Sequence, residues 1–563
     1  MGNPNSQQSA SLDPKWWHRT AERPLGALCH RVLLIGLDGA TFDILRPMMD
    51  QGRMPNLKGM IERGASGVLM STIPPITPAA WTTFMTGKGP GKHGIFDFER
   101  YNVRTNELTF NSTYVVRDRT VWQILGDAGL RVGSLLVPMT YPPQAVNGFL
   151  VSGFGTPGTD TEFTHPSDLK ADILDRWPDF TFKTKWNHNA SRDLGVFRSN
   201  VDAIKQSFTG GVELARHCGE KYGWDVMMVL YKLVDNLQHK TWKYLDPKTA
   251  GRDPARAELS ADCFTHLDRC IGDLIEYADS RDASVMIMSD HGHGSLDGKV
   301  QPNLLLRQWG YLGVNRARQL KTRASGIVNR WLSGGGDKFT RNHSIEDDLA
   351  VDWPTTRAFV AHAGMCGFLY INLKGRQATG IVDPADYDRL RKQISEKLLS
   401  VTVLDANGEE IAPFEAVHEP ETLYGCDREQ YEWLPDLLLV PRPGLAVVRK
   451  IRSRQPVMWS SFRKLEGTHR MEGIFIAAGK HIRHQENVAA EMADIAPTLL
   501  SAVGLRIPAD MDGRVISEIF DKSPCVEFED AESPTAVETE DVVYDEREQA
   551  ILTERLADLG YLE

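Results

Sequence analysis

The sequence predicts an α/β fold: a three-layer α/β/α sandwich around a mostly parallel sheet, with inserted cap segments. Three short apolar runs carry that expectation: Val32-Leu33-Leu34-Ile35-Gly36-Leu37, Val226-Met227-Met228-Val229-Leu230-Tyr231 and Val285-Met286-Ile287-Met288-Ser289. Their length suits strands buried on both faces. Amphipathic stretches separate them, the alternation a doubly wound sheet requires. Acids and histidines follow each run: Asp38 the first, Asp235 and His239 the second, Asp290 and His291 the third. Ligands of open parallel sheets bind beyond the carboxyl ends of the strands, so these side chains can converge although they lie far apart in sequence.

Taken in order, residues 1–30 read as a polar tail and Arg31 opens the first strand. Further strands are expected at residues 132–137, 369–372, 437–440 and 474–477. Residues 258–278 carry Cys263, Leu267, Cys270, Ile271 and Leu274 at helical spacing, which makes both cysteines core residues rather than ligands. One catalytic body is expected over residues 31–520, interrupted by an insertion or lid at 313–350. There the composition turns basic and Gly/Ser-rich around Ser333-Gly334-Gly335-Gly336. Residues 521–543 are acidic and poor in large apolar side chains, as a linker would be. In the last segment, 544–563, Ile551, Leu552, Leu556 and Leu559 fall near helical spacing, predicting a terminal helix.

Composition bounds the partners. At 563 residues the chain builds a large core, and 41% hydrophobic with 25% charged residues is the balance of a soluble globular protein. A net charge of -11 argues against stable binding of duplex nucleic acid, whose nonspecific affinity comes from neutralising phosphates with Lys and Arg. The seven cysteines are odd in number and show no CxxC spacing, which favours reduced thiols and a cytoplasmic location. No early stretch has the apolar length of a signal peptide, and none elsewhere has that of a membrane span.

The chemistry begins at Pro74-Pro75-Ile76-Thr77-Pro78-Ala79-Ala80-Trp81, where Thr77 stands at a helix start. A hydroxyl there gains from the helix dipole, and free amides beside it suit an incoming phosphate. A threonine is a weak nucleophile at neutral pH unless a dication lowers its pKa. The competing reading is a simple helix cap, common for a Thr followed by Pro. Asp235 and His239, four apart, share one helix face, and Asp290-His291 follows a strand directly. His469 comes late, in Glu466-Gly467-Thr468-His469-Arg470. Carboxylate plus imidazole suits zinc, and manganese or iron as well. His293 receives no role.

With these residues in this order the chain resembles the alkaline phosphatase superfamily and, within it, the type I phosphodiesterase and nucleotide pyrophosphatase branch, across residues 31–515. The resemblance implies two divalent ions, zinc first and manganese second. Asp38, Thr77, Asp290 and His291 would hold one ion, and Asp235, His239 and His469 the other. It also makes Thr77 the nucleophile that forms a covalent phospho-threonine intermediate. The sequence departs from the branch in two places. Thr77 is followed by Pro78-Ala79-Ala80 where nucleotide pyrophosphatases have Phe-Pro-Asn. His93-Gly94-Ile95 is followed by Phe96-Asp97-Phe98 where they place a phosphate-holding Asn. Lys88, Lys92 and Asn102 are the nearby candidates for gripping substrate, against the plainer reading of solvated surface. Trp81, Phe96 and Phe98 are candidates for a leaving-group pocket or for core.

The expected function is therefore a two-metal hydrolase cleaving a phosphodiester or nucleotide pyrophosphate bond in a small phosphate ester or nucleotide. A phosphomonoesterase, phosphonate hydrolase or phosphotransferase on the same scaffold comes second. A metal-binding regulator without turnover is the rival from another class.

Overall fold

The computed structural model describes residues 23, 25–183, 186–315, 345–462, 465–531 and 544–559. Its centre is a nine-stranded sheet built from β1 (Arg31–Leu37), β2 (Ala65–Met70), β3 (Val132–Leu135), β4 (Gly148–Val151), β5 (Thr164–His165), β6 (Val226–Tyr231), β7 (Ala283–Met288), β8 (Glu472–Ala478) and β9 (Gln485–Glu491). The spatial order is β9-β2-β8-β7-β1-β6-β3-β4-β5. β1 runs parallel to both β6 and β7, while β8 runs antiparallel to both its neighbours.

The apolar runs form central strands because both of their faces are covered. Along β1, Leu33, Ile35 and Leu37 enter one core while Val32 and Leu34 enter the other, and β6 divides Met227, Val229 and Tyr231 from Val226, Met228 and Leu230 in the same way. On the first face lie α2 (Leu194–Tyr222) and α4 (Pro254–Asp279); on the second lies α1 (Thr77–Thr86), through Ala80, Trp81 and Phe84. This is the three-layer arrangement read from the sequence. α4 starts where Asp253 accepts a hydrogen bond from the Arg256 amide ahead of Pro254. It buries Cys263, Leu267, Cys270, Ile271 and Leu274 on one stripe, each large apolar side chain worth about 1.5–3 kcal/mol. All seven cysteines are unpaired thiols.

Two expected strands belong elsewhere. Residues 369–372 and 437–440 fall in Gly367–Ile371 and Leu437–Pro441 of a separate antiparallel sheet, completed by Ala358–His362 and Phe414–His418. An apolar run shows that a strand is buried but not which sheet buries it. This second sheet has its own core with the helix Tyr387–Leu399, and the buried Asp436 pins it by accepting hydrogen bonds from Arg376, Arg428 and Tyr387. Most of the expected insertion (316–344), the stretch 532–543 of the acidic segment, and residues 1–22 and 24 of the tail lie outside the described residues. Within the described part of the acidic segment, Phe528–Glu529 pairs parallel with Ile507–Pro508.

The terminal helix, α5 (Glu546–Leu559), docks on the body. Tyr544, Leu552 and Leu556 share a cluster with Ile76, Ala79, Phe98, Phe110 and Tyr141, and Arg555 donates to the carbonyls of Thr156 and Pro157. No described helix is long and apolar enough to cross a membrane.

Candidate metal centre

Register gathers the site. Gly36 pairs with Leu230 on one side and Met288 on the other, so β1, β6 and β7 end together. Asp38 leaves β1 at that edge; Lys232 and Asp235 leave β6 into α3 (Leu233–Leu245); Asp290 and His291 leave β7. The short strand Gly292–Ser295 then pairs antiparallel with Gly467–Arg470, which sets His293 directly opposite His469. Gly39 has φ +69°, and a Cβ there would stand 2.7 Å from His293 Nδ1 and 3.2 Å from Asp235 Oδ1. Only glycine lets the backbone pass so close to both.

Two overlapping donor groups result, one of Asp235, His239, His293 and His469 and one of Asp38, Asp235 and His291, all buried. Asp235 Oδ1 lies 3.1 Å from His239 Nε2 and 3.4 Å from both His293 Nε2 and His469 Nε2. Ligands 2.0–2.1 Å from a tetrahedral ion stand about 3.3 Å apart, so these spacings are those of a zinc-sized coordination shell. In the second group His291 Nε2 lies 3.8 Å from Asp38 Oδ1, and Asp290, outside that group, has its Oδ2 3.5 Å from the same nitrogen.

The tautomers agree with this. The Nδ1 atoms of His239, His469, His291 and His293 face the backbone carbonyls of Gly467, Pro75, Gly292 and Gly39 at 2.7–3.0 Å. A carbonyl only accepts, so each Nδ1 carries a proton, and in a neutral ring Nε2 then presents the lone pair. His239 Nε2 and His469 Nε2 are 3.1 Å apart, close enough to share one cation or one proton between them. Burial lowers the pKa of His291 and holds His293 and His469 well below the ordinary imidazole range, so these three rings stay neutral and fit to ligate.

The carboxylates tell the same story. Burial, with the charge of Asp290 next, pushes Asp38 up to about 7, and burial pushes Asp290 up to about 7. Burial would also raise Asp235, but His239 and Lys232 outweigh it and hold that carboxyl well below the usual range. Three buried acids thus face the Lys232 ammonium, which reaches Asp38 Oδ1 at 3.2 Å and also contacts Asp235. One lysine cannot offset three carboxylates out of water, whereas divalent ions can. The residues therefore fit the metal ions that the resemblance implies.

Thr77 heads α1 on the adjoining loop and is buried. Ile76 occupies the cap position, so the Thr77 hydroxyl is not the helix cap. Two contacts tie this loop to the donors: His469 bonds the Pro75 carbonyl, and Trp81 Nε1 donates to Asp38 Oδ2 at 3.0 Å. Asp290 Oδ1 is held by the Gly39 amide at 3.0 Å, and its Oδ2 has no hydrogen-bond partner among the described residues. A narrow cavity of about 50 Å³ reaches the cluster at His239, lined also by Ile76, Asp97, Phe98 and Gly467.

Lys88, Lys92 and Asn102 are placed elsewhere. Lys88 is buried against Asp118 and Asp510, Lys92 pairs with Asp512, and the Asn102 side chain accepts from the amides of Arg104 and Thr105. All three side chains are engaged in holding the fold, and none lines the cavity at the cluster. Sequence reasoning passed over two residues that the structure brings in, His293 and Lys232. His293 stands two residues after His291, the spacing that puts both on one side of a strand; Lys232 stands three before Asp235, on the same helical face.

Carboxylates and imidazoles converging at the carboxyl edge of a mostly parallel sheet make a buried site fit to bind metal ions. The type I phosphodiesterase / nucleotide pyrophosphatase family matches residues 32–474, and the chain belongs to that family. Among solved structures, phosphonoacetate hydrolase from Sinorhizobium meliloti 1021 in complex with phosphonoacetate is similar, at 17% identity and a TM-score of 0.48 over 83% of this chain and 95% of that one. Human ectonucleotide pyrophosphatase / phosphodiesterase 5 is similar at 13% identity and a TM-score of 0.46, over 87% of this chain and 100% of that one. No curated protein sequence matches the chain.

A pH dependence follows from the two raised carboxyls. Below about 7, Asp38 and Asp290 hold protons that an incoming ion must displace; above it they are already ionised. Zinc affinity is expected to rise between about pH 6 and 8, with proton release shrinking over the same window. Calorimetry of zinc uptake in two buffers of different ionisation enthalpy measures both, and uptake without proton release at the acid end would mean that these carboxyls do not bind the ion.

Proposed function

We propose that the chain is a two-metal phosphohydrolase cleaving a phosphodiester or a nucleotide pyrophosphate bond through Thr77. The observation that carries this reading is the ring of three imidazole Nε2 atoms 3.1–3.4 Å from Asp235 Oδ1, with Asp38 and His291 grouped on the same carboxylate. Asp235, His239 and His469, joined by His293, would hold one ion, and Asp38, Asp290, His291 and Thr77 the other, with Asp235 within reach of both groups. Zinc suits the nitrogen-rich donors best, with manganese second. When bound, such ions lower the pKa of the attacking hydroxyl and draw charge from the phosphoryl oxygens.

The protein does the rest. Thr77 Oγ1 bonds to phosphorus as the bond to the leaving oxygen breaks, and water later cleaves the phospho-threonine. The amino end of α1 presents free amides and a positive dipole end to the phosphoryl oxygens. Trp81 fixes the Asp38 carboxylate, and His469 fixes the loop that carries Thr77. The cavity that reaches the donor cluster at His239 also has in its wall Ile76, the residue before Thr77.

Hydrolysis of bis-p-nitrophenyl phosphate against p-nitrophenyl phosphate by zinc- and manganese-loaded protein tests the reading, with chelator-stripped protein as control. The expected result is a kcat/KM for the diester about tenfold or more above that for the monoester, lost on chelation. A monoester preference would make the protein a phosphatase, and loaded protein inert on both would leave the substrate class open and count toward metal binding without turnover.

A further inference from the structure

The cavity that reaches His239 is also lined by Asp97 and His362, a pair the donor cluster leaves unused. Asp97 stands in Phe96-Asp97-Phe98, where the sequence departs from the nucleotide pyrophosphatase pattern. His362 closes the strand Ala358–His362 of the separate antiparallel sheet, and the pairing of that strand with Gly367–Ile371 shifts register between Val360 and His362. Irregularities of this kind re-aim a side chain and recur beside active sites.

The two side chains face each other. His362 Nδ1 lies 3.7 Å from Asp97 Oδ2, with the imidazole side chain 3% and the carboxylate side chain 15% exposed. Asp97 is fixed from its own side: Oδ1 accepts from the Phe98 amide at 2.6 Å, and the Asp97 carbonyl accepts from Asn111 Nδ2 at 2.7 Å. At the other end of the ring, His362 Nε2 is buried and has no hydrogen-bond partner among the described residues. A separation of 3.7 Å exceeds a hydrogen bond, but catalytic bonds are commonly long before substrate arrives and tighten when it does. A carboxylate that orients the ring from Nδ1 and leaves Nε2 to work is the arrangement of a proton-transferring histidine. Besides His239, the other charged or titratable side chains on this wall are Glu99, Glu466, Lys299, Arg449 and Lys450, and among the described residues Asp97 alone lies within ion-pair distance of His362.

We propose that His362, oriented by Asp97, is the proton donor to the leaving group, and that the substrate is a phosphodiester of an ordinary alcohol. The inference rests on the hydrolase reading above. As the deprotonated Thr77 Oγ1 bonds to phosphorus, the bond from phosphorus to the leaving oxygen breaks; that oxygen keeps the electron pair, takes the proton from His362 Nε2 and departs as a neutral alcohol. The imidazole, now neutral, recovers a proton from the water that attacks the phospho-threonine, and the Thr77 oxygen leaves with the bonding pair. A phosphate expelled from a pyrophosphate bond is the anion of an acid with a pKa of about 6 and needs no such proton, whereas an alkoxide does. A built proton donor therefore favours the diester of the two bonds considered above.

The experiment compares methyl phenyl phosphate with methyl p-nitrophenyl phosphate as substrates of metal-loaded protein. Phenolate, with a pKa of about 10 like tyrosine's, is the more basic leaving group and gains more from a proton. His362→Gln retains a hydrogen-bond donor but cannot give up a proton. It should lower kcat/KM for the phenyl ester about a hundredfold and for the p-nitrophenyl ester much less, with the metal content by elemental analysis unchanged. Asp97→Asn, which keeps an oxygen for the Phe98 amide, should show the same selective loss at smaller size, and it carries the test if His362→Gln fails to fold. A loss that is equal on the two esters, larger on the p-nitrophenyl ester, or absent would overturn the proton donor and leave the hydrolase reading standing, because that reading is judged by wild-type turnover. Wild-type protein inert on both esters would count against the hydrolase reading, and the proposal would fall with it.

Discussion

Replacing Thr77 by alanine should lower kcat for a phosphodiester by at least about a thousandfold, with the ion at Asp38, Asp290 and His291 held more weakly and the other ion retained. That factor corresponds to about 4 kcal/mol of lost transition-state stabilisation. The large effect is expected because in the proposed reaction the phosphorus–oxygen bond forms at this hydroxyl, and the described geometry offers no second hydroxyl in its place at the head of α1. The stability cost should be small. Since Ile76 holds the cap position, Thr77→Ala forfeits no side-chain cap, a loss that would otherwise cost about 1 kcal/mol. Thermal unfolding, metal content and single-turnover kinetics on the same preparation separate the two roles. Thr77→Ser retaining part of the activity would support a nucleophile; a variant that stays active but unfolds early would reduce Thr77 to a structural residue.

Asp235→Ala should strip the site of metal. Its Oδ1 is the atom around which His239, His293 and His469 gather, and the same residue completes the group with Asp38 and His291. Loss of a ligand at one centre would spare the other, but loss of this one lowers both from about two ions per chain toward none at micromolar free zinc. The variant also takes from Lys232 one of the carboxylates that face it, leaving Asp38 at 3.2 Å and the charge of Asp290. Because a buried ammonium is stable only when compensated, the metal-free variant should unfold more readily than metal-free wild type, by about 3–5 kcal/mol. Elemental analysis after dialysis and denaturant unfolding report the two effects. Full occupancy of one centre in Asp235→Ala would show that the carboxylate serves a single ion.

The central strands were legible because strand burial on two faces writes itself as an unbroken apolar run, as in β1, β6 and β7. Residues just beyond those strands were legible too, since position at a strand end is local information. What pairs with what was not. The strand Gly292–Ser295 meets Gly467–Arg470 across a long sequence gap, and only that pairing brings His293 over to His469. The same limit applies to the runs 369–372 and 437–440, whose apolar character is equal in either sheet. Lys88 and Lys92 misled through proximity in sequence: both sit near the Thr77 helix, yet their partners Asp510 and Asp512 arrive from the far end of the chain.

The docking of α5 bears on the order in which the molecule is made. Ile76, Ala79, Phe98 and Phe110 emerge early from the ribosome, but Tyr544, Leu552 and Leu556, which cover them, emerge among the last described residues. Chains fold from the amino end as they are synthesised, so the ground beneath Thr77 stays bare for most of translation. During that interval the nascent protein carries an apolar patch of its own making, which disappears when residues 544–559 close over it.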